Sequence, residues 1–483
     1  MAFKPDKYQI EIAKTFRNTS DNITIKAGAG TGKTTTLIML LGLARGLSGV
    51  LAFNGDIVEE LKKRVNIPNV EIMTLHSLGM KSLISEHGGR LKLKKGKTYK
   101  FIINASKKWN IKSIDQEAYF YIVDKLVDIY RSTLCQSIED LKESAKIIGI
   151  EYKESHIKHS LEIMKILNNY NKNPKEVDFT DMIYLPATNI KYILPKFNTT
   201  FIDECQDLNK AQHAMIDRII KGNRFVAVGD PHQSIYNFAG ADSKSFQLFT
   251  IKKRTIELPL SVCYRCPSRI IDHANNIYNV LEPRIGVEPG VLRRGDYFEA
   301  EDKDMVICRN LKPLIMVYFN FIADGKKCFI KGKDIGESLI KIIKKWKDYE
   351  MEEMIDGLMG DLHDLTNDLI KRGFDKPIKH PSYQTLLEKI SAIIVISNNY
   401  KSVKEMLYHL GEIFSDDSKE GIILSTIHKA KGLEANRIFF LNRFLIPSKF
   451  AVSEDQLIQE NNLLYVAMTR AKKELIYCTV KEN

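Results

Sequence analysis

A chain of 483 residues is too long for one hydrophobic core, so several domains are expected. With 44% hydrophobic and 27% charged residues it reads as an ordinary globular protein, which excludes the disordered and fibrous classes, and a formal charge of +12 favours a polyanionic partner such as nucleic acid. Seven cysteines at irregular spacing argue against a disulfide framework, and no window has signal-peptide or membrane-spanning character; a soluble cytoplasmic protein with no membrane partner is expected.

In chain order, the β-branched run NITIKA leads into a glycine-rich loop and a helix from Lys33, and GVLAF (Gly49 to Phe53) and VEIMT (Val70 to Thr74) each precede a further helix. Such βαβ repetition implies a parallel sheet with ligands at the C-terminal strand ends. The pattern breaks at RLKLKKGKTYK (Arg90 to Lys100), after which the chain reads as helical and lysine-rich to about Tyr170, an inserted domain whose lysines Lys92, Lys94 and Lys95 are either a solvated face or a guide for duplex. The α/β pattern resumes with TTFIDE (Thr199 to Glu204) and RFVAVGD (Arg224 to Asp230). A second α/β region opens near TIELPLSVCYR, continues through DMVICRN and KKCFIKG, and gives way to amphipathic helices such as MEEMIDGLMGDLHDL. GIILSTIH, RIFFL, a helix in NNLLYVAMTRAKKEL and a closing strand ELIYCTV follow.

The expected fold class is therefore α/β, two parallel-sheet lobes each with a mainly helical insertion. The first lobe is assigned to residues 1–83 and 186–248 with its insertion at 84–185. The second is assigned to 249–332 and 415–483 with a short insertion at 333–414.

AGAGTGKTTT (Ala27 to Thr36) sits between a strand and a helix, the context a phosphate-binding loop requires. Gly28, Gly30 and Gly32 let backbone N–H groups approach phosphates, Lys33 neutralises the β- and γ-phosphates, and the Thr34 hydroxyl holds Mg²⁺, with Thr35 beside it in the binding set. Ala27 stands where the strict pattern has glycine. FIDECQDL adds Asp203 to organise the metal and Glu204 to polarise water, although paired carboxylates after a strand also serve as helix caps. In VGDPHQSIYNFAGAD, Gln233 is placed to sense the γ-phosphate, and Tyr236 and Phe238 offer aromatic faces that ordinary core packing would also explain. Cys263 and Cys266 form a CxxC with no second pair to complete a zinc site.

With these motifs the chain resembles superfamily 1 DNA helicases of the UvrD/Rep/PcrA type along nearly its whole length. The ordered motifs are Tyr8-Gln9, AGAGTGKT, TLHSLG, DFTDMI, DECQD, GDPHQSIYNFAGAD, CYRCP, STIHKAKGLE and LLYVAMTRAKKEL. The resemblance implies two RecA-like P-loop NTPase lobes and the cofactors ATP and Mg²⁺. Gln9 would read adenine, Tyr264 would stack on it, and Glu434 would contact the ribose. Arg265 and Arg470 would reach the γ-phosphate from the second lobe, Arg470 as an arginine finger in cis, a device that contributes roughly 10³ to 10⁵ in turnover. Phe53, Thr74, His76, Tyr236, Phe238, Thr426 and His428 would contact nucleic acid, and the cysteines of the CxxC would merely flank Tyr264 and Arg265.

The implied activity is ATP-dependent 3′→5′ translocation on single-stranded DNA with duplex unwinding, driven by closure of the lobes, in repair or replication. The expected protein is a monomer acting at single-strand/duplex junctions, with a nuclease or a replication or repair factor as partner protein. Three departures bear on this. Phe238-Ala239 replaces the usual Trp-Arg, Asn461 and Asn462 replace charged residues before the last motif, and the second-lobe insertion is short. They leave open an accessory translocase that remodels nucleoprotein without unwinding alone, and stacking contacts leave RNA open as the track. Little sequence follows the last motif, so no fused nuclease is expected.

Overall fold

The protein is described from a computed structural model, for residues 4–481 other than 53, 90, 110, 112–115, 149, 151, 236–243, 372–374, 417–419 and 452. The chain divides into two compact units, Met1–Ser261 and Val262–Asn483.

The first unit is built on six parallel strands: β1 (Asn22–Ala27), β2 (Ser48–Ala52), β3 (Val70–Thr74), β4 (Thr199–Ile202), β5 (Arg224–Gly229) and β6 (Thr255–Leu260), in the spatial order β3-β2-β4-β5-β1-β6. β2 and β4 are buried at every residue, because helices cover both faces and a parallel sheet leaves no solvated side for polar alternation. On one face Ile23, Ile25, Val50 and Val228 pack against Leu37, Leu40 and Ile12. On the other, Ile202, Phe225 and Ala227 meet Met215, Ile216 and Phe249.

Between β3 and β4 lie the helices Leu75–His87, Lys97–Ser106, Gln116–Ser132, Ile138–Ile148, Glu154–Tyr170 and Asp181–Thr188. The short parallel strands Lys92–Leu93 and Glu176–Val177 close the neck of this insertion, and Ile102, Val123, Val127, Ile163 and Leu167 give it a core of its own. A buried ionic cluster fastens it to the lobe. Arg131 Nη1 lies 3.2 Å from both Asp178 oxygens and 3.3 Å from Asp181, while Lys97 pairs with Asp181 and donates to Asn171 Oδ1 at 3.0 Å. The lysine-rich stretch therefore splits: Lys92, Lys94 and Lys95 are exposed, and Lys97 is 1% exposed.

The second unit repeats the plan with β7 (Val291–Arg294), β8 (Met305–Cys308), β9 (Cys328–Ile330), β10 (Ile422–Thr426), β11 (Ala435–Leu441) and β12 (Ala471–Cys478), all parallel in the order β7-β12-β11-β8-β10-β9. Its insertion comprises the helices Lys333–Ile343, Met351–Lys371, Pro381–Ser397 and Val403–Ile413. Leu339, Met354, Leu358, Ile393 and Met406 belong to the same apolar cluster as Val306, Leu424 and Phe439 of the sheet. This insertion is fused into the core of its lobe.

The assigned borders shift at three points. β6, read from sequence as second-lobe, pairs with β1 along its whole length from Asn22↔Thr255 to Ala27↔Leu260, so the first sheet runs past residue 248. Residues 84 and 185 fall inside the helices Leu75–His87 and Asp181–Thr188, because those helices belong to both lobe and insertion. Among the described residues, no helix is long and apolar enough to cross a membrane.

Two glycines make the packing testable. A Cβ on Gly79 would overlap the Met182 carbonyl where the helices Leu75–His87 and Asp181–Thr188 touch, whereas one on Gly360, exposed within Met351–Lys371, meets nothing within 4 Å. Gly79→Ala should destabilise by about 1–3 kcal/mol through overpacking. Gly360→Ala should stabilise by roughly 0.5–1 kcal/mol by restricting the unfolded chain. Urea unfolding of the two variants checks both signs.

Candidate nucleotide and nucleic-acid sites

The loop after β1 turns back through Gly30 and Gly32, both left-handed at φ 69° and 79°, and Thr31 Oγ1 donates to the Gly28 carbonyl at 2.9 Å. Gly32 is the N-cap of the helix Lys33–Leu41 and supplies no side-chain cap, which leaves the first turn's N–H groups to an anion. Lys33 Nζ lies 2.6 Å from Glu204 Oε1. Asp203 Oδ1 accepts from the Glu204 amide at 2.9 Å, and Glu204 itself is held at φ 48°, a left-handed position that turns its carboxylate off the strand axis.

A third carboxylate stands nearby. Asp230, after β5, accepts from Gln233 Nε2 at 2.7 Å. Burial first, then Glu204, pushes the Asp203 carboxyl up to about 7; burial does most to push Asp230 up to about 6. For Lys33 burial works downward, but Glu204, Asp203 and Asp230 outweigh it and hold the ammonium above its ordinary value. One cation among three carboxylates, Asp203 and Asp230 buried and Glu204 partly exposed, leaves surplus negative charge beside hard oxygen donors. Asp203 with the Thr34 hydroxyl therefore fits Mg²⁺. Among the described residues no group of three or more His, Cys, Asp or Glu side chains is arranged to hold a metal ion by itself, so such an ion would need oxygens from outside the protein.

Gln206 escaped the sequence reading. Its Nε2 donates to Glu204 Oε2 at 2.6 Å and its Oε1 accepts from the Asp230 amide at 3.0 Å, so it ties the two acidic strand ends together. Its place in DECQD, two residues after the acidic pair, was the available signal. Gln9 is fully buried. Its Nε2 donates to Thr36 Oγ1 at 3.1 Å and its Oε1 accepts from the Asp6 amide at 3.1 Å, which fixes the first helix against the phosphate-loop helix. The Thr35 hydroxyl accepts from Arg64 Nη2 at 3.3 Å.

At the tip of β3, Thr74 caps the helix Leu75–His87 reciprocally with Ser77. His76, its pKa lowered by burial, packs edge-on to Phe179 with ring centroids 6.0 Å apart. Phe53, Tyr236 and Phe238 lie outside the described residues.

In the second unit, strand register decides which groups meet. β11 and β12 pair with Ala435 opposite Ala471, which sets Glu434 and Arg470, one residue before each, side by side at the N-terminal ends of the two strands. Arg265 comes to the same place from the turn after the short strand Val262–Cys263, in which Tyr264 is half-buried. Arg265 Nε lies 2.6 Å from Glu434 Oε2 and its Nη1 donates to the Thr469 carbonyl at 3.2 Å. Lys472 Nζ lies 2.5 Å from the other Glu434 oxygen. Burial alone would raise the Glu434 carboxyl; Lys472 and Arg265 bring it below its usual value. Thr426 ends β10. Nearby, half-buried His428 is pushed down to about 4 by burial and then by Arg309, whose guanidinium grips Glu460 with Nη2 at 2.7 Å.

Arg470, read from sequence as an arginine finger in cis, is here engaged by its own unit. It is 1% exposed and donates through Nε to the Val466 carbonyl at 3.0 Å, through Nη1 to the Leu433 carbonyl at 3.4 Å and through Nη2 to Thr469 Oγ1 at 3.2 Å. A guanidinium so used also holds the last helix to β11 and β12. Arg470→Ala should therefore cost stability as well, about 1–3 kcal/mol from carbonyls left without donors, read as a lower urea midpoint.

Two family models match the chain: the UvrD/REP helicase N-terminal domain over residues 9–253 and the UvrD-like helicase C-terminal domain over residues 421–477. Among curated relatives, the F-box DNA helicase protein 1 of Schizosaccharomyces pombe is 25% identical over 59% of this chain, a match that spans 34% of that protein. The probable DNA helicase II homolog of Mycoplasma genitalium is 22% identical over 94% of this chain and 82% of its own length. The ATP-dependent DNA helicase Rep of Buchnera aphidicola is 21% identical, with 94% and 92% covered. With its phosphate loop, its acidic strand tips and a matched N-terminal domain that alone spans half the sequence, this chain belongs to the UvrD/REP helicase family.

Proposed function

We propose that this chain is an ATP-driven motor that moves 3′→5′ along single-stranded DNA and separates the duplex ahead of it. The observation that carries the reading is the meeting of Lys33 with Asp203, Glu204 and Asp230 over an uncapped helix N-terminus. The matched family and the helicase names of its relatives supply DNA as the track.

In this reading the phosphates of ATP take over Lys33 from Glu204. The freed Glu204 carboxylate, steadied by Gln206, then accepts a proton from the attacking water. Asp203 and Thr34 would hold Mg²⁺, which would supply neutralisation of the charge developing on the phosphate oxygens. Tyr264 stacks on adenine, Gln9 serves its edge and Glu434 the ribose. Arg265 and Arg470 exchange their present oxygen acceptors for phosphate oxygens, so that hydrolysis accompanies closure of the two units. Phe53, Thr74, His76, Tyr236, Phe238, Thr426 and His428 hold the strand. The chain works as a monomer at single-strand/duplex junctions, alone or with a nuclease or repair factor.

The second-unit insertion favours one other reading. Because its helices are part of the lobe's own core, it offers no separate domain to bear on a duplex, which suits a translocase that needs a partner to unwind.

Duplexes with a 3′ or a 5′ single-stranded tail, with hydrolysis followed in parallel, distinguish these. Opening from the 3′ tail alone is expected; vigorous hydrolysis with neither duplex opened would establish the partner-dependent translocase instead. Oligo-dT should stimulate hydrolysis and oligo-U should not. Glu204→Gln should lower stimulated hydrolysis on the order of 10²–10⁴-fold, the scale of a lost general base, and Lys33→Ala should abolish it, with folding preserved by circular dichroism.

A further inference from the structure

The turn that carries Tyr264 and Arg265 also carries two thiols for which nucleotide binding has no use. Cys263 and Cys266 are 0% and 1% exposed. Their sulfurs are within hydrogen-bonding reach of one another, and the Cys266 amide donates to Cys263 Sγ at 3.4 Å. The Arg265 amide and the Arg265 charge lie close enough to favour a thiolate there. Cys266 Sγ is 3.6 Å from the Thr469 carbonyl, the acceptor it shares with Arg265 Nη1. The helix Ser268–Asn275 starts two residues on. One amide donor, with a second amide, a thiol and a guanidinium close by, favours a thiolate on that sulfur.

The result is a polarised pair. The hydrogen bond from Cys266 brings the Cys263 thiol down to about 7 against the opposing effect of burial, and Cys266 is pushed well above its ordinary value. Burial pushes Cys205, Cys308, Cys328 and Cys478 upward too. No group of metal-ligating side chains gathers around the pair among the described residues, so its chemistry is that of a dithiol.

We infer that Cys263 and Cys266 form a redox-active dithiol that takes a two-electron oxidant of the hydroperoxide class, Cys263 attacking and Cys266 resolving. The Cys263 thiolate displaces the O–O bond of the hydroperoxide, forming a sulfenic acid while the leaving oxygen takes up a proton. Cys266 sulfur then attacks the sulfenic sulfur, the S–O bond breaks, and water leaves with the Cys266 proton. Two thiols and one hydroperoxide give one disulfide, one water and one alcohol (a second water for hydrogen peroxide); each sulfur gives up one electron and the O–O bond takes two. A dithiol reductant reverses the change.

The consequence for hydrolysis rests on the role proposed for Arg265. A bond of about 2.05 Å replaces the sulfur–sulfur contact, and the Cys266 amide next to Arg265 loses its thiolate acceptor. Displacing a reactive group by about 1 Å can cost about 10²-fold in rate, so the oxidised turn lowers turnover and the reduced turn restores it.

The full chain carrying Cys328→Ser, which removes a partly exposed thiol, is treated with hydrogen peroxide across pH 6–9. It is then alkylated and split for peptide mass and for DNA-stimulated ATP hydrolysis before and after dithiothreitol. The expected result is a Cys263–Cys266 disulfide forming at a rate that rises through about pH 7, as the Cys263 thiolate forms. A loss of hydrolysis of about tenfold or more, reversed by the reductant, should accompany it. Chain with Cys263→Ser and Cys266→Ser should keep its activity under peroxide. Two alkylated cysteines after peroxide overturn the dithiol. A disulfide with unchanged hydrolysis overturns the control of turnover, and Arg265→Ala in the same assay tells which premise failed: if that variant is fully active, it is the role given to Arg265.

Discussion

A buried cation can leave its partner only for another anion. Lys33, its side chain 14% exposed, lives under a softened form of that constraint, beside Glu204 at 20% and the buried Asp203 and Asp230. The three carboxylates arrive there because β4 and β5 are neighbours of β1 and β2 in a parallel sheet, so their C-terminal ends open toward the same loop. The exchange of Glu204 for phosphate that we propose would then be close to an ion-for-ion swap. Gln206 keeps the released carboxylate aimed by holding its second oxygen.

The second unit obeys a parallel logic with the sign reversed. Arg265 and Lys472 bracket a single carboxylate, Glu434, and Arg470 lies beside them on backbone oxygens. Strand pairing places these groups, so residues far apart in sequence need no flexible reach to meet: Ala435 opposite Ala471 suffices. The role we propose for Arg470 would make it serve two ends, since the same guanidinium is what its helix end hangs on.

Much of this was legible in advance where chemistry depends on local order. The phosphate loop needs glycines at left-handed positions followed by a helix, and both conditions are written consecutively between Gly28 and Lys33. Apolar runs ending in acid marked β4 and β5 for the same reason. Less legible were features set by what lies opposite. Thr255–Leu260 has mixed burial and no motif, and only its pairing with β1 assigns it to the first sheet. Lys97 looks like its neighbours Lys94 and Lys95 until Asp181 is brought beside it from far along the chain. Little in TRAKKEL foretells that Arg470 is buried, because two of its three acceptors are main-chain oxygens that no residue type signals.

The two insertions differ in how they are joined, and this has a thermodynamic consequence. The first has its own apolar cluster and a neck of two short strands, so it constitutes a separate cooperative unit that can open while the motor sheet stays closed. The second is threaded between β9 and β10, strands that pair directly, and its side chains complete the cluster beneath them. Those helices cannot loosen without exposing the sheet they cover. The amides of β9 and β10 should then exchange with solvent only when the whole lobe unfolds, which makes the second unit one all-or-none folding domain and the first a domain with a hinged annex.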